Sequence, residues 1–256
     1  MRKALILPIL FPILIFSQSH IKSPTLRPIS ELIKYGTIDK TVWELVYIYE
    51  KEDEVPLHPD SAQRILSDWL SRKDSLSKDD SILYSKEEVK LIKNNSNDIV
   101  NIMKSMNFIG GNLCLFTVMN SDLPVRFANK NGQKALLVHG IATDDILNTF
   151  KLGYKERVSK IINKYCLSAL SNIQNANPKI PVKYYGVSVV YGSKDFSSDE
   201  EALNLKSEIV YMISPVEMCK KYSAAEITDV EFIKGSEIYG EERGEVGIKK
   251  IDISSK

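Results

Sequence analysis

Histidine is scarce in this chain, so acid–base chemistry has few places to reside. Only three histidines occur, and His139 is the one that ends a predicted strand, with Asp144 and Asp145 close behind it. A histidine–carboxylate pair is the usual acid–base unit. The grouping therefore suggests a hydrolase site of His139 with Asp144 or Asp145. The structural alternative is that the histidine ends a strand and the aspartates cap a helix, and it is favoured because the grouping matches no motif.

Other residues that could carry chemistry give weaker patterns. No G-x-S-x-G motif supplies a serine nucleophile, and Cys114 lies in an apolar run that fits a buried role. The acidic stretch Asp195–Glu201 lacks the alternation of a calcium loop. Phosphate loops and dinucleotide fingerprints are also missing from the sequence. We therefore expect neither a metal nor a cofactor.

Tyrosine supplies the candidate binding residues. Three of the 12 tyrosines, Tyr184, Tyr185 and Tyr191, fall in one predicted strand. Exposed tyrosines stack on sugars or hold a peptide, whereas buried ones pack against neighbouring strands. Cross-strand packing is the default expectation, and ligand binding is the functional alternative.

The same stretch organises the predicted fold. Side chains of a strand alternate between two faces, which gives Val182–Gly192 one bulky face and one mostly small face. A second apolar run, Ile209–Ile213, follows. The two runs predict adjacent antiparallel strands in the middle of a sheet. A long helix from Thr143 to about Gln174 is predicted to cover the small face, with Asp144 and Asp145 at its positive end.

Helices dominate the region before the sheet. Apolar residues recur at helical spacing over residues 59–73 and again after Ser85, which forms a capping box with Glu88. Asn94–Asp98 interrupts the second stripe, so this segment forms either two short helices or one long helix. Residues 39–51 are ambiguous between helix and strand, and the helix is preferred.

The predicted strands come later in the chain. Residues 113–119 read as a central strand, 135–138 as a short strand after a turn at 129–132, and 245–253 as a last strand with a β-bulge at Lys249 and Lys250. Residues 215–222 predict a helix, and 228–239 a further short segment for which a helix is one interpretation. The fold class is α+β: a helical region (20–107), then a mostly antiparallel sheet of about four to five strands under one long helix (108–256). The two regions form either one continuous domain or two.

The first residues match a secretory signal peptide. Arg2 and Lys3 precede an uncharged apolar run, Ala4–Phe16, and Ser17-Gln18-Ser19 offers small residues for cleavage. The run is short for a membrane span, which needs about 20 residues. We predict a signal peptide over residues 1–19, export to the periplasm or exterior, and no span after cleavage. An uncleaved N-terminal anchor is the alternative.

Composition limits the class of partner. The hydrophobic fraction of 43% and charged fraction of 26% are ordinary globular values, and the formal net charge of +1 gives no reason to expect a nucleic acid. An odd number of cysteines, three, leaves at least one of them unpaired. The sequence allows a disulfide between Cys166 and Cys219 but does not require it. Together these features favour an exported, non-enzymatic binding or interaction protein of the cell envelope or exterior, with a protein or glycan partner. The alternative is the hydrolase built on His139.

Overall fold

A mixed seven-stranded sheet forms the centre of the protein. The computed structural model describes residues 25–33, 61–74, 84–106, 113–115, 123–197, 205–242 and 247–253. Its strands are β1 (Leu113–Leu115), β2 (Val125–Lys130), β3 (Gln133–Asn148), β4 (Tyr184–Lys194), β5 (Lys206–Pro215), β6 (Glu237–Glu241) and β7 (Lys249–Lys250). β3 to β7 run across the sheet in chain order, and β1 and β2 both pair with the outer side of β3.

Seven helices and a π-helical segment accompany the sheet in the described residues. They are α1 (Ser61–Asp74), α2 (Lys86–Asn94), α3 (Ser96–Met106), α4 (Tyr154–Ile161), the π segment (Ile162–Cys166), α5 (Leu167–Asn175), α6 (Val216–Ser223) and α7 (Asp229–Lys234). A helical turn also occupies residues 29–33. The α+β class is confirmed.

The sheet has more strands than predicted, and not all of its strand pairs are antiparallel. β3 and β4 are parallel, whereas every other strand pair is antiparallel. The helical run α4–π–α5 connects β3 to β4, and a helical crossover of this kind returns the chain in the same direction. The predicted β4–β5 pair is antiparallel and lies within the sheet, as expected. Leu113–Leu115 lies at the sheet margin instead of the centre.

The helices cover the bulky face of β4, which reverses the prediction. The helix-side core contains Tyr185, Val187, Val189 and Tyr191 together with Val158, Ile161, Tyr165, Ala169 and Ile173. The bulky side chains bury more apolar area against the helices than the small face would, which makes this arrangement the more stabilising one. The small face belongs to a second core. Its members are Leu32, Ile33, Ala128, Leu137, Ile141, Val190, Ile209, Tyr211 and Ile213.

Gly186 allows close packing in this second core. A Cβ at this position would lie 2.3 Å from Leu137 Cδ2 and 3.3 Å from Ile213 Cγ1. We expect Gly186→Ala to lower the free energy of unfolding by about 1–3 kcal/mol, because a packed core resists an added methyl group. Leu137→Val removes the obstructing atom, so urea titrations should show that the double variant loses less than the sum of the single losses. Strictly additive losses would contradict the contact.

The chain between β3 and the crossover helix differs from the prediction. β3 continues to Asn148, so Asp144 and Asp145 lie in a strand and the helix begins only at Tyr154, after the N-cap Gly153. The register of β3 against β4 jumps between Ala142 and Ile146, which inserts extra residues there. The polar residues that suggested a helix cap instead form this irregularity in the strand.

The last strand also needs no bulge. Lys249 and Lys250 pair regularly with Gly240 and Tyr239, and Ile251 N–H bonds to Ile238. Ile248 packs against the second core, whereas Ile251 and Ile253 pack against the helix-side core. Since both faces of the sheet are covered, apolar residues of both parities find a partner. Residues 228–239 contain the expected short helix, α7, and the first residues of β6, which was not predicted.

The helices before the sheet follow their sequence patterns. α1 spans Ser61–Asp74, and the second stripe divides into α2 and α3 at Asn95. Ser85 Oγ accepts the predicted bond from Glu88 N–H, but the Glu88 carboxylate binds Arg126 on β2. Side chains from these helices share the helix-side core with the sheet, including Leu66, Trp69, Ile92, Ile99 and Met103.

Two predictions lie outside the described residues: the signal peptide (1–19) and the helix over residues 39–51. The other two histidines, His20 and His58, lie outside them as well. None of the described helices is long and apolar enough to cross a membrane. Cys166 and Cys219 are buried free thiols. The side chain of Cys114 is not among those described.

Candidate functional site

His139 lies on the second-core face of the sheet, in a row of side chains that crosses the strands. His139 pairs with Ser188, Ser188 with Tyr211, and Tyr211 with Tyr239. The Nδ1 atom of His139 is 2.6 Å from Ser188 Oγ, and the Tyr211 ring meets the imidazole edge to face at 6.3 Å between centroids. Histidine and serine are therefore brought together, although the sequence analysis had found no serine partner.

The surroundings of this pair do not favour nucleophilic catalysis. Ser188 is 2% exposed, in the interior of the central strand. Burial and, secondarily, the charge of Arg126 lower the pKa of His139 to about 3. A general base works best with a pKa near the operating pH, so this imidazole is a poor base at neutral pH. In the described structure the hydrogen bond instead satisfies two polar groups inside an apolar layer.

The aspartates proposed as partners do not join His139 in the described contacts. Asp145 binds Lys164 Nζ at 2.7 Å and also accepts a hydrogen bond from Tyr165, a member of the helix-side core. His139 faces the second core, on the opposite side of the sheet. Asp144 lies in β3, but its side chain is outside the described residues. Burial and the Asp145 bond raise the pKa of Tyr165 to about 12, which leaves this phenol neutral.

The depressed pKa of His139 predicts acid sensitivity. The folded state favours neutral imidazole, so its stabilising effect is complete above the unfolded pKa of 6.5 and declines as pH falls from 6.5 toward 3. His139 retains a partly accessible surface, so we expect a loss of only about 1–2 kcal/mol between pH 7 and pH 5. Urea titrations at the two pH values should show a smaller loss for His139→Gln, and equal losses would contradict the assignment.

A cleft at the start of β4 offers a more accessible site. Its volume is about 720 Å³, within the usual range for small-molecule sites. It lies where the start of β4, the end of β5, the end of α5 and the start of α6 meet. Its lining combines apolar and polar side chains, including Ile180, Val182, Tyr184, Val216, Gln133 and Gln174.

The floor of the cleft is held by backbone hydrogen bonds. Lys183 N–H donates to Lys134 O, and Lys183 O accepts from Val216 N–H, which ties the segment to β3 and α6. Lys179 N–H donates to the Asp98 carboxylate at 2.8 Å. These bonds anchor both ends of the connection that lines the cleft.

The structure separates the three candidate tyrosines. Tyr184 and Tyr185 line the cleft, whereas Tyr191 is fully buried in the helix-side core, opposite Glu208 of β5. Tyr184 is partly accessible, and Lys130 Nζ lies 5.1 Å from its ring centroid. Tyr185 is 3% exposed, and burial raises its pKa to about 12. Tyr184 therefore remains the tyrosine best placed to meet a ligand.

Positive charge surrounds the cleft. Lys179, Lys183 and Lys220 line it, against the single lining carboxylate of Glu217. Glu217 accepts a hydrogen bond from Lys220 at 2.9 Å, and Lys220, Lys183 and Lys221 hold the pKa of Glu217 below its usual value. From the sequence, the long helix was expected to end at about Gln174, and the residues that follow were given no role in binding. The run N-P-K-I-P-V-K-Y-Y, with lysines beside prolines and tyrosines, was the available signal.

Comparison with known proteins assigns no function to these two regions. The chain matches no family model, no curated protein and no solved structure. In the described part of the chain, no group of three or more His, Cys, Asp or Glu side chains is arranged to hold a metal ion. The chemistry of the cleft and of the His139 row is the remaining basis for a function.

Proposed function

We propose that the protein is an exported binding protein and that the cleft beside Tyr184 is its binding site. The observation that carries the proposal is the cleft itself, about 720 Å³ in volume. Pockets that bind small molecules combine apolar walls with a few placed polar groups. Here apolar side chains such as Val182 and Val216 adjoin amide and lysine groups. The burial of Ser188 and the lowered pKa of His139 count against the alternative, a hydrolase built on these two residues.

Narrowing the cleft should weaken binding. Gln133 is exposed at the cleft margin, and Gln133→Trp places an indole there without disturbing the core. A ligand-observed NMR screen of small organic compounds should find compounds that bind the unmodified protein and lose about tenfold or more in affinity in this variant. Ser168→Trp is the matched control because Ser168 is an exposed residue that does not line the cleft. Compounds that bind all three proteins equally would contradict the proposed site.

Export rests on residues 1–19 and has its own test. Cleavage after Ser19 would produce a chain that begins at His20. Mass spectrometry of the protein recovered from the periplasm or medium should show this N-terminus. Recovery of the uncleaved chain from the membrane would favour the anchor, and its recovery from the cytoplasm would contradict export.

The hydrolase remains a second candidate because of the 2.6 Å contact between His139 Nδ1 and Ser188 Oγ. Hydrogen-bonded serine and histidine are the nucleophile and base of many hydrolases. This candidate requires that ester hydrolysis by the purified protein be lost in both His139→Gln and Ser188→Ala. Activity that survives either substitution would exclude this pair as the catalytic unit.

A further inference from the structure

We infer that the ligand of the cleft is a small organic anion, with a carboxylate or phosphate group attached to a flat apolar body. This inference rests on the proposed binding function and specifies the chemistry of the ligand. Its basis is the arrangement of charge around the cleft, together with the apolar residues in its lining.

The charges that line the cleft favour an anion. Three lysines, Lys179, Lys183 and Lys220, face one glutamate, Glu217. Asp98 is the nearby acidic group, and its carboxylate accepts the backbone N–H of Lys179. Among the described residues, only Lys220 of the three lysines forms an ion pair, with Glu217. The ammonium groups of Lys179 and Lys183 therefore retain their capacity to bind an anion.

The local backbone adds a smaller contribution of the same sign. α6 begins at Val216, at the edge of the cleft, and carries the partial positive charge of a helix N-terminus. The N–H of Val216 is already bonded to Lys183 O. The dipole therefore reinforces the lysine charges, which carry the inference.

The remaining walls suit an apolar body with some hydrogen-bonding capacity. Tyr184, Ile180, Val182 and Pro215 provide aromatic and aliphatic surface. The side-chain oxygen of Gln174 is buried without a hydrogen-bond partner in the described structure. This amide is not held by another group, so it is able to turn toward a polar atom of a ligand.

Three naphthyl compounds test the charge preference on one apolar body. The probes are 1-naphthyl phosphate, neutral 1-naphthol and cationic 1-naphthylmethylamine, each titrated calorimetrically into the protein. We expect the phosphate to bind about tenfold more tightly than either of the others, and we expect its affinity to fall with added salt. Gln133→Trp, which narrows the cleft, identifies the part of the binding that occurs there.

Charge variants identify the lysines that act. Lys179→Met with Lys183→Met keeps the aliphatic stems and should weaken binding of the phosphate about tenfold, whereas Glu217→Gln should strengthen it about threefold. Lys160→Met is the matched control because Lys160 is exposed on α4 and does not line the cleft. Circular dichroism checks that each variant is folded.

The outcomes separate the inference from the function on which it rests. If naphthol or the amine binds the cleft as tightly as the phosphate, the anion preference is wrong and the cleft remains a binding site. An equal effect of Lys160→Met and the lysine pair would overturn the assignment to Lys179 and Lys183. If no probe is sensitive to Gln133→Trp, both the anion preference and the proposed site fail.

Discussion

Replacing Glu88 by alanine is expected to lower the free energy of unfolding by about 3–5 kcal/mol, because it leaves the Arg126 charge buried without its carboxylate. Glu88 is 0% exposed and Arg126 is 7% exposed. The carboxylate accepts from Arg126 Nε at 2.8 Å and from the N–H of Phe127 at 2.9 Å. It therefore joins α2 to the outer edge of β2. It also accepts a hydrogen bond from the Phe127 N–H, which would otherwise be an unpaired donor of the edge strand.

Glu87 supplies the control for this prediction. It is the neighbouring residue on α2, it pairs with Lys134 at 3.0 Å, and its side chain is 31% exposed. Glu87→Ala should cost about 1 kcal/mol, since exposed ion pairs contribute little. Urea titrations measure both variants. Replacing both Glu88 and Arg126 with Met and Leu should recover part of the loss, and a Glu88→Ala loss no larger than that of Glu87→Ala would contradict the buried pair.

Loss of the Glu208 carboxylate is expected to have a similar effect on the other side of the sheet. Glu208 on β5 and Arg157 on α4 are 0% and 3% exposed, and two hydrogen bonds of 3.0 and 2.6 Å join them. Glu208→Ala should therefore destabilise the fold by about 3–5 kcal/mol. The same substitution should loosen the crossover helix, which hydrogen exchange of α4 amides would detect as faster exchange.

Glu242 gives the comparison within the same cluster. It lies 3.5 Å from Arg157, but its side chain is 37% exposed. Glu242→Ala should cost less than about 1 kcal/mol. A cost for Glu242→Ala equal to that for Glu208→Ala would show that burial does not set the strength of these pairs.

Elements with strong local patterns could be predicted from the sequence. α1 has apolar residues at helical spacing, and β4 and β5 are long apolar runs, so each was located correctly. The direction of β3 relative to β4 was missed although the strand–helix–strand order indicates a parallel pair. β6 was missed because E-I-Y-G-E is short and its apolar pattern is weak.

The candidate sites depended on contacts that sequence proximity does not reveal. Ser188 meets His139 across 49 residues of chain, while Asp145, only a few residues away, lies on the other face of the sheet because the strand changes register between them. Likewise, the cleft brings residues of β3, α5 and α6 to Tyr184. Tyr184 was identified from the sequence as a candidate binding residue, but the lysines around it were not.

Chemical-shift mapping tests most directly whether ligands bind at the start of β4. Titration of 1-naphthyl phosphate into the isotope-labelled protein should move the amide signals of Lys183, Tyr184 and Val216, with the His139 and Ser188 signals unchanged. Shifts confined to the His139 row, with none at the cleft, would contradict the account and favour the hydrolase.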